Sequence, residues 1–145
     1  MYNLSKLSET LNELLQINGL TEKSLSEKTG IPVSCISLYT RDLQAPYLGG
    51  LVKLADAFGC STDYLLGLSD DYVRKTYKPC PPFGQRLGFL LKDKKKSAYE
   101  IYTGTGVSKS SFYEWKRGES LPTVEKAALL AELFSCSVDY LLGRE

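Results

Sequence analysis

The chain contains no histidine, one tryptophan and one methionine among 145 residues. Without histidine, the side chain best suited to acid–base work at neutral pH is missing, and so is the commonest metal ligand. Cys35, Cys60, Cys80 and Cys136 form no C-x-x-C pair. A structural zinc site, which needs Cys and His ligands at short spacings, therefore has no ligand set. No apolar run reaches the roughly 18 residues of a membrane-spanning helix. The start, "MYNLSKLSET", lacks the basic-then-apolar pattern of a secretory signal. These absences lead us to expect a cytoplasmic protein, in which Cys60 and Cys136, each beside apolar residues, are read as small, reduced, buried side chains. No Gly-x-Ser-x-Gly motif occurs. The stretch "GTGVSKSS" at residues 104–111 has Ser108 where a phosphate-binding loop needs glycine before its lysine, and a helical pattern precedes it. The expectation is no enzyme, no cofactor and no metal.

What the chain does contain is itself, twice. "CSTDYLLG" at residues 60–67 returns as "CSVDYLLG" at residues 136–143. Displaced by 76 positions, residues 7–67 align with residues 83–143 without a gap, and 18 of these 61 positions are identical. Most identities are apolar, Gly or Pro, the positions a shared fold keeps. A period this long exceeds the roughly 20–50 residues of a solenoid repeat and fits two small domains. We read a first domain over residues 1–68, a linker over residues 69–82 ("SDDYVRKTYKPCPP") and a second domain over residues 83–145. Pro79, Pro81 and Pro82 exclude a continuous helix from the linker, while Tyr72, Val73 and Tyr77 give it apolar surface with which to dock. The formal charge of +1 hides an asymmetry. Residues 1–70 carry 5 Lys/Arg and 8 Asp/Glu; residues 71–145 carry 13 and 9. A positive second half fits a polyanion partner.

Each copy reads as five short helices, and no segment alternates with the period of a strand, so the class is all-α. In the first copy Leu4, Leu7, Leu11, Leu14 and Leu15 recur at helical steps, and Asn18-Gly19 ends the stripe. Thr21 starts a second helix with Leu25 inward, and Gly30 ends it. Pro32 fits the first turn of a third helix, which reaches about Arg41 with Ile36 and Tyr39 inward. Pro46 marks the fourth start, with Leu48, Leu51, Leu54, Ala55 and Phe58 as its stripe. Ser61 caps the fifth, with Asp63 charging its first turn. In the second copy helices are expected over residues 83–93, 97–104, 108–117, 122–134 and 137–142. Tyr39 and its counterpart Trp115 are read as half-buried, and Tyr64 and Tyr140 as part of the fifth-helix core.

The central pair of each copy, "TEKSLSEKTGIPVSCISLYTRD" and "SAYEIYTGTGVSKSSFYEWKRG", runs helix, glycine, β-branched residue, helix. A sharp turn with positive φ needs the glycine. Ile31 or Val107 then pins the two helices, and the second can present its first turn to a DNA groove. Gly106-Val107-Ser108, Trp115-Lys116-Arg117-Gly118, Pro122 and the Asp139-Tyr140-Leu141-Leu142-Gly143 ending, in that order and largely duplicated, resemble the lambda-repressor-like, Cro/C1-type (XRE) helix-turn-helix family. The resemblance covers about 125 residues. It implies two tandem five-helix domains whose third helices enter the major groove of double-stranded DNA, as a dimer or pseudo-dimer.

The resemblance also implies site residues. In the second copy the base-reading positions fall on Lys109, Ser110 and Glu114. Lys109 can donate to guanine, and Glu114 can accept from cytosine N4. Phosphate positions fall on Ser97, Arg117 and nearby Lys116, with Ser108 at the start of the third helix. Lys94, Lys95 and Lys96 form a basic run before the second helix, as consistent with a solvated loop as with a phosphate site. In the first copy the matching positions are Thr21, Val33, Ser34, Leu38 and Arg41. Val33 and Leu38 suit thymine methyl groups or another protein equally, and the acidic balance of this copy opposes phosphates. Three departures from the family pattern stand out: Ser26 and Tyr102 occupy a position that is often alanine, Thr40 and Lys116 stand where the third helix often carries an acidic residue, and Asp42 replaces the glycine that follows the third helix. The expected function is a sequence-specific transcriptional regulator, a repressor by preference, acting alone or as a homodimer, with no membrane and no small-molecule substrate. The alternative is an interaction module in which one or both copies bind protein, such as a second chain or a toxin.

Overall fold

Ten helices run through the described residues, and no strand accompanies them. The computed structural model describes residues 5–72 and 74–145; Leu4 of the first stripe and Val73 of the connecting segment lie outside the described residues. The chain divides into two compact units, Met1–Tyr77 and Lys78–Glu145. The first holds α1 (Ser5–Ile17), α2 (Glu22–Thr29), α3 (Val33–Thr40), α4 (Leu48–Phe58) and α5 (Thr62–Leu65). The second holds α6 (Phe83–Asp93), α7 (Ala98–Thr105), α8 (Lys109–Arg117), α9 (Val124–Leu133) and α10 (Val138–Leu142). No helix among the described residues is long and apolar enough to cross a membrane.

The repeated apolar positions are the cores. Leu11, Leu14, Leu25, Ile36, Leu51, Leu54 and Leu65 are fully buried in the first unit, and Leu87, Leu90, Phe112, Ala127, Leu130 and Leu141 in the second. Each large side chain so buried contributes about 1.5–3 kcal/mol. Where the copies differ, volume is roughly conserved. Phe112 is larger than Ile36, and Ala127 is smaller than Leu51, an exchange of the kind cores tolerate.

Several expectations shift in detail. Pro32 is not within the first turn of α3; it precedes Val33 with φ −56° and ψ 140°, extended backbone that suits its ring. Pro46 and Pro122 likewise stand outside the helices they announce, because Tyr47 and Thr123 take the cap positions. Tyr39 and Trp115 are not half-buried but almost wholly buried, 3% and 5% exposed, since both lie on the inner face of their helices. Tyr64 and Tyr140 are only half-buried. Tyr64 stacks on Tyr72 with ring centroids 5.0 Å apart, and the Tyr140 hydroxyl donates to Asp93 Oδ2 at 2.9 Å. Of the two cysteines expected to be buried, Cys60 is buried and Cys136 half-buried; Cys35 is half-buried and Cys80 exposed.

The residues between the repeats are divided between the units. Besides the Tyr72 stack, the Lys75 amide donates to the Gly59 carbonyl at 2.9 Å, which ties this stretch to the end of α4. On the other side the Lys78 amide donates to the Arg144 carbonyl, also at 2.9 Å. Arg144 itself is wholly buried and paired with the buried carboxylate of Asp139.

In each unit the first helix packs against the last turn of the third. In the first, Ser8 Oγ on α1 donates to the Thr40 carbonyl at 2.8 Å, and Asn12 Nδ2 donates to the same oxygen at 2.9 Å. The residue aligned with Ser8 is Gly84 on α6. A methyl group there would overlap the Lys116 carbonyl oxygen and lie 2.9 Å from that of Trp115. Glycine lets α6 press directly on the last turn of α8.

Candidate nucleic-acid interface

Three residues separate α2 from α3, and three separate α7 from α8. Each turn opens with a glycine in the left-handed region, Gly30 at φ 78° and Gly106 at φ 72°. Nothing lies within 4 Å of where a Cβ would stand at either. The requirement is for backbone conformation, not for space. Ile31 then plugs inward, 4% exposed, whereas Val107 is half-buried. In the first unit Ser26 Oγ donates to the Ile31 carbonyl at 2.6 Å and fastens the turn. Tyr102, the counterpart of Ser26, turns its half-buried ring against Phe112, 6.0 Å between centroids, and edge-on to Tyr99 at 5.7 Å. The second unit fastens its turn otherwise: Lys126 Nζ on α9 donates to the Thr105 carbonyl at 2.8 Å.

The serines and threonine assigned to phosphate are helix caps. Thr21 Oγ1 accepts from the Ser24 amide at 3.0 Å, and Ser108 Oγ accepts from the Ser111 amide at 3.0 Å. Ser97 forms a reciprocal capping box with Glu100. All three are exposed at helix N-termini, where amides and dipole favour an anion.

Lys109 and Ser110 occupy the first turn of α8 and are exposed. Glu114, one turn on, is half-buried, and its Oε2 stands 3.5 Å from Ser120 Oγ. Lys116 and Arg117 end the helix, both exposed. Lys109, Ser110, Lys116 and Arg117 thus share one short helix carried on a buried Phe112 and Trp115. Of the lysine run, Lys94 lies with Nζ 5.3 Å over the Tyr140 ring, and Lys96 is 3.9 Å from Glu100; Lys95 is exposed.

The first unit presents a different face. Val33 is 42% exposed, Ser34 is exposed, and Leu38 is half-buried. Arg41 bends back along its own helix, donating from Nε to the Ser37 carbonyl at 3.1 Å. Asp42, where the second unit has Gly118, still adopts the left-handed turn, at φ 57° against 78°.

Sequence reasoning missed Glu119. Its carboxylate accepts two hydrogen bonds from Arg117, at 2.8 and 3.0 Å. The hydrogen bond from Arg117 holds the Glu119 carboxyl below its usual range, and the same bond raises the guanidinium. The signal was present as "RGE", opposite charges flanking a glycine that turns the chain back.

A family model described as a Cro/C1-type HTH DNA-binding domain matches residues 10–71, and one described as a helix-turn-helix matches residues 89–141. The chain is similar to the HTH-type transcriptional regulator ImmR of Bacillus subtilis (strain 168), 41% identical over 69 residues that make up 48% of this chain and 54% of the relative. It is also similar to two further Bacillus subtilis (strain 168) proteins. One is the uncharacterized HTH-type transcriptional regulator YobD, 40% identical over 63 residues, which are 43% of this chain and 56% of the relative. The other is the HTH-type transcriptional regulator AnsR, 38% identical over 60 residues, which are 41% of this chain and 52% of the relative. The chain thus spans about half the length of the curated relatives it matches. No solved structure matches it significantly. Two five-helix units, each with its three-residue turn and each matched by a helix-turn-helix model, establish that the chain belongs to the Cro/C1-type helix-turn-helix family and carries that domain twice in tandem.

Proposed function

We propose that the protein is a sequence-specific DNA-binding transcriptional regulator, acting as a repressor in the cytoplasm and catalysing no reaction, with its second domain as the principal reader. The observation that carries this reading is α8. It exposes Lys109 and Ser110 on its first turn and Lys116 and Arg117 on its last, within the basic half of the chain. Lys109, Ser110 and Glu114 are the base-reading set. Arg117, Lys116 and the capped N-terminus at Ser97 are the phosphate set, with Ser108 beside them. The relatives' names, all HTH-type transcriptional regulators, support the same function. The first domain, with Thr21, Val33, Ser34, Leu38 and Arg41, contributes a weaker, more apolar contact, either to a second half-site or to a second copy of the chain.

The test is selection of duplexes from a random pool, followed by a footprint on the winner. Two related half-sites protected by one chain make both domains readers. A palindrome that needs two chains makes the first domain an interface. Lys109→Ala then relaxes base preference at one position, by about 1–3 kcal/mol of discrimination. Arg117→Ala weakens binding to all sequences and lowers the salt slope by about one. Absence of any enriched sequence refutes the proposal.

A further inference from the structure

Arg117 is exposed, but its guanidinium is already engaged. Its Nε lies 2.8 Å from Glu119 Oε1 and an Nη 3.0 Å from Oε2, the two-point geometry that a guanidinium otherwise offers to a phosphate. The turn at Gly118 (φ 78°) brings Glu119 back, and the Glu119 amide fixes it by donating to the Glu114 carbonyl at 2.9 Å. Both side chains remain 55% exposed, so the pair sits at the surface where DNA would arrive. At the matching positions of the first domain, Leu43 stands where Glu119 does, 64% exposed, and Arg41 is bonded to its own helix instead.

A guanidinium with two donors committed to a carboxylate cannot grip a phosphate with the same two donors until the carboxylate leaves. We propose that Glu119 is an internal competitor for the phosphate site at Arg117, an anion built into the chain that lowers the second domain's affinity for the DNA backbone without regard to sequence. The inference rests on the reading that this domain binds DNA through α8. An exposed pair of this kind is weak enough to be displaced on binding. Its removal changes affinity by a small, measurable factor.

The experiment compares wild type, E119Q, R117A and the double variant in the full chain. Binding to the selected duplex and to an unrelated duplex is followed by fluorescence anisotropy across a salt series, and Trp115 emission checks the fold. E119Q is expected to tighten binding to both duplexes by about two- to fivefold, with their ratio unchanged, and to steepen the salt slope by up to about 0.9. In the R117A background the gain from E119Q should vanish. An equal gain in that background would make Glu119 a general negative charge and overturn the proposal. A change in the ratio between duplexes would make it a base contact, with the same consequence. No gain at all in a wild type that binds would refute this inference alone. A wild type that binds neither duplex would remove the DNA reading, and this inference with it.

Discussion

Two glycines one turn apart on α6 should respond to the same substitution with opposite signs. At Gly88 the nearest neighbour of an added methyl is the flexible Cε of Lys116, at 3.9 Å. Gly88→Ala therefore gains the helix propensity of alanine and stabilises the second unit by about 0.5–1 kcal/mol. At Gly84 the methyl meets backbone: the Lys116 carbonyl in overlap and the Trp115 carbonyl at 2.9 Å. Neither can move without displacing the end of α8. Overpacking of this kind costs about 1–3 kcal/mol. Set against the same propensity gain, the net loss is about 0.5–2 kcal/mol. For a unit of this size that lowers the unfolding midpoint by roughly 2–16 °C, at about 4–8 °C per kcal/mol. The assay is convenient because the chain's one tryptophan, Trp115, is buried in this unit, so its fluorescence follows the second unit and not the first. A raised midpoint for Gly84→Ala would refute the close approach of α6 and α8. Because that approach positions Lys116 and Arg117, the variant should also weaken DNA binding more than its stability loss alone explains.

Two further outcomes follow from buried groups. Arg144→Ala leaves the Asp139 carboxylate buried without its guanidinium and should destabilise the second unit by about 3–5 kcal/mol, measured by urea titration of Trp115 fluorescence; a change below about 1 kcal/mol would contradict the burial. In the first unit, burial foremost, then Cys35 and Tyr47, raises the Tyr39 phenol above the ordinary value of 10.0. The folded chain thus holds that proton more tightly than the unfolded chain. Its contribution is complete below about pH 10 and is lost as pH rises through the raised value. Tyr39→Phe should flatten the alkaline fall in helicity seen by circular dichroism, and an unchanged profile would place that fall elsewhere, on Tyr64 or Tyr140, which are also raised.

The sequence by itself determined the duplication, the helical class, the five helices per copy and the glycine turns. These follow from spacing along the chain: apolar periodicity, cap residues, and a glycine where φ must be positive. It located Lys109, Ser110 and Arg117 on one helix for the same reason. Only the tertiary structure decided what each of these side chains is already doing. Thr21, Ser97 and Ser108 spend a lone pair on capping their helices. Arg117 faces a carboxylate while Arg41 faces a carbonyl, although the two align. Arg144 lies past the end of the aligned repeat, so no repeat comparison marks it, yet among the described residues it is the largest wholly buried side chain. The opposite values of Gly84 and Gly88 are likewise invisible in a linear pattern. Periodicity reports which face of a helix turns inward, but how near the next backbone stands on that face is fixed by packing between elements far apart in the chain.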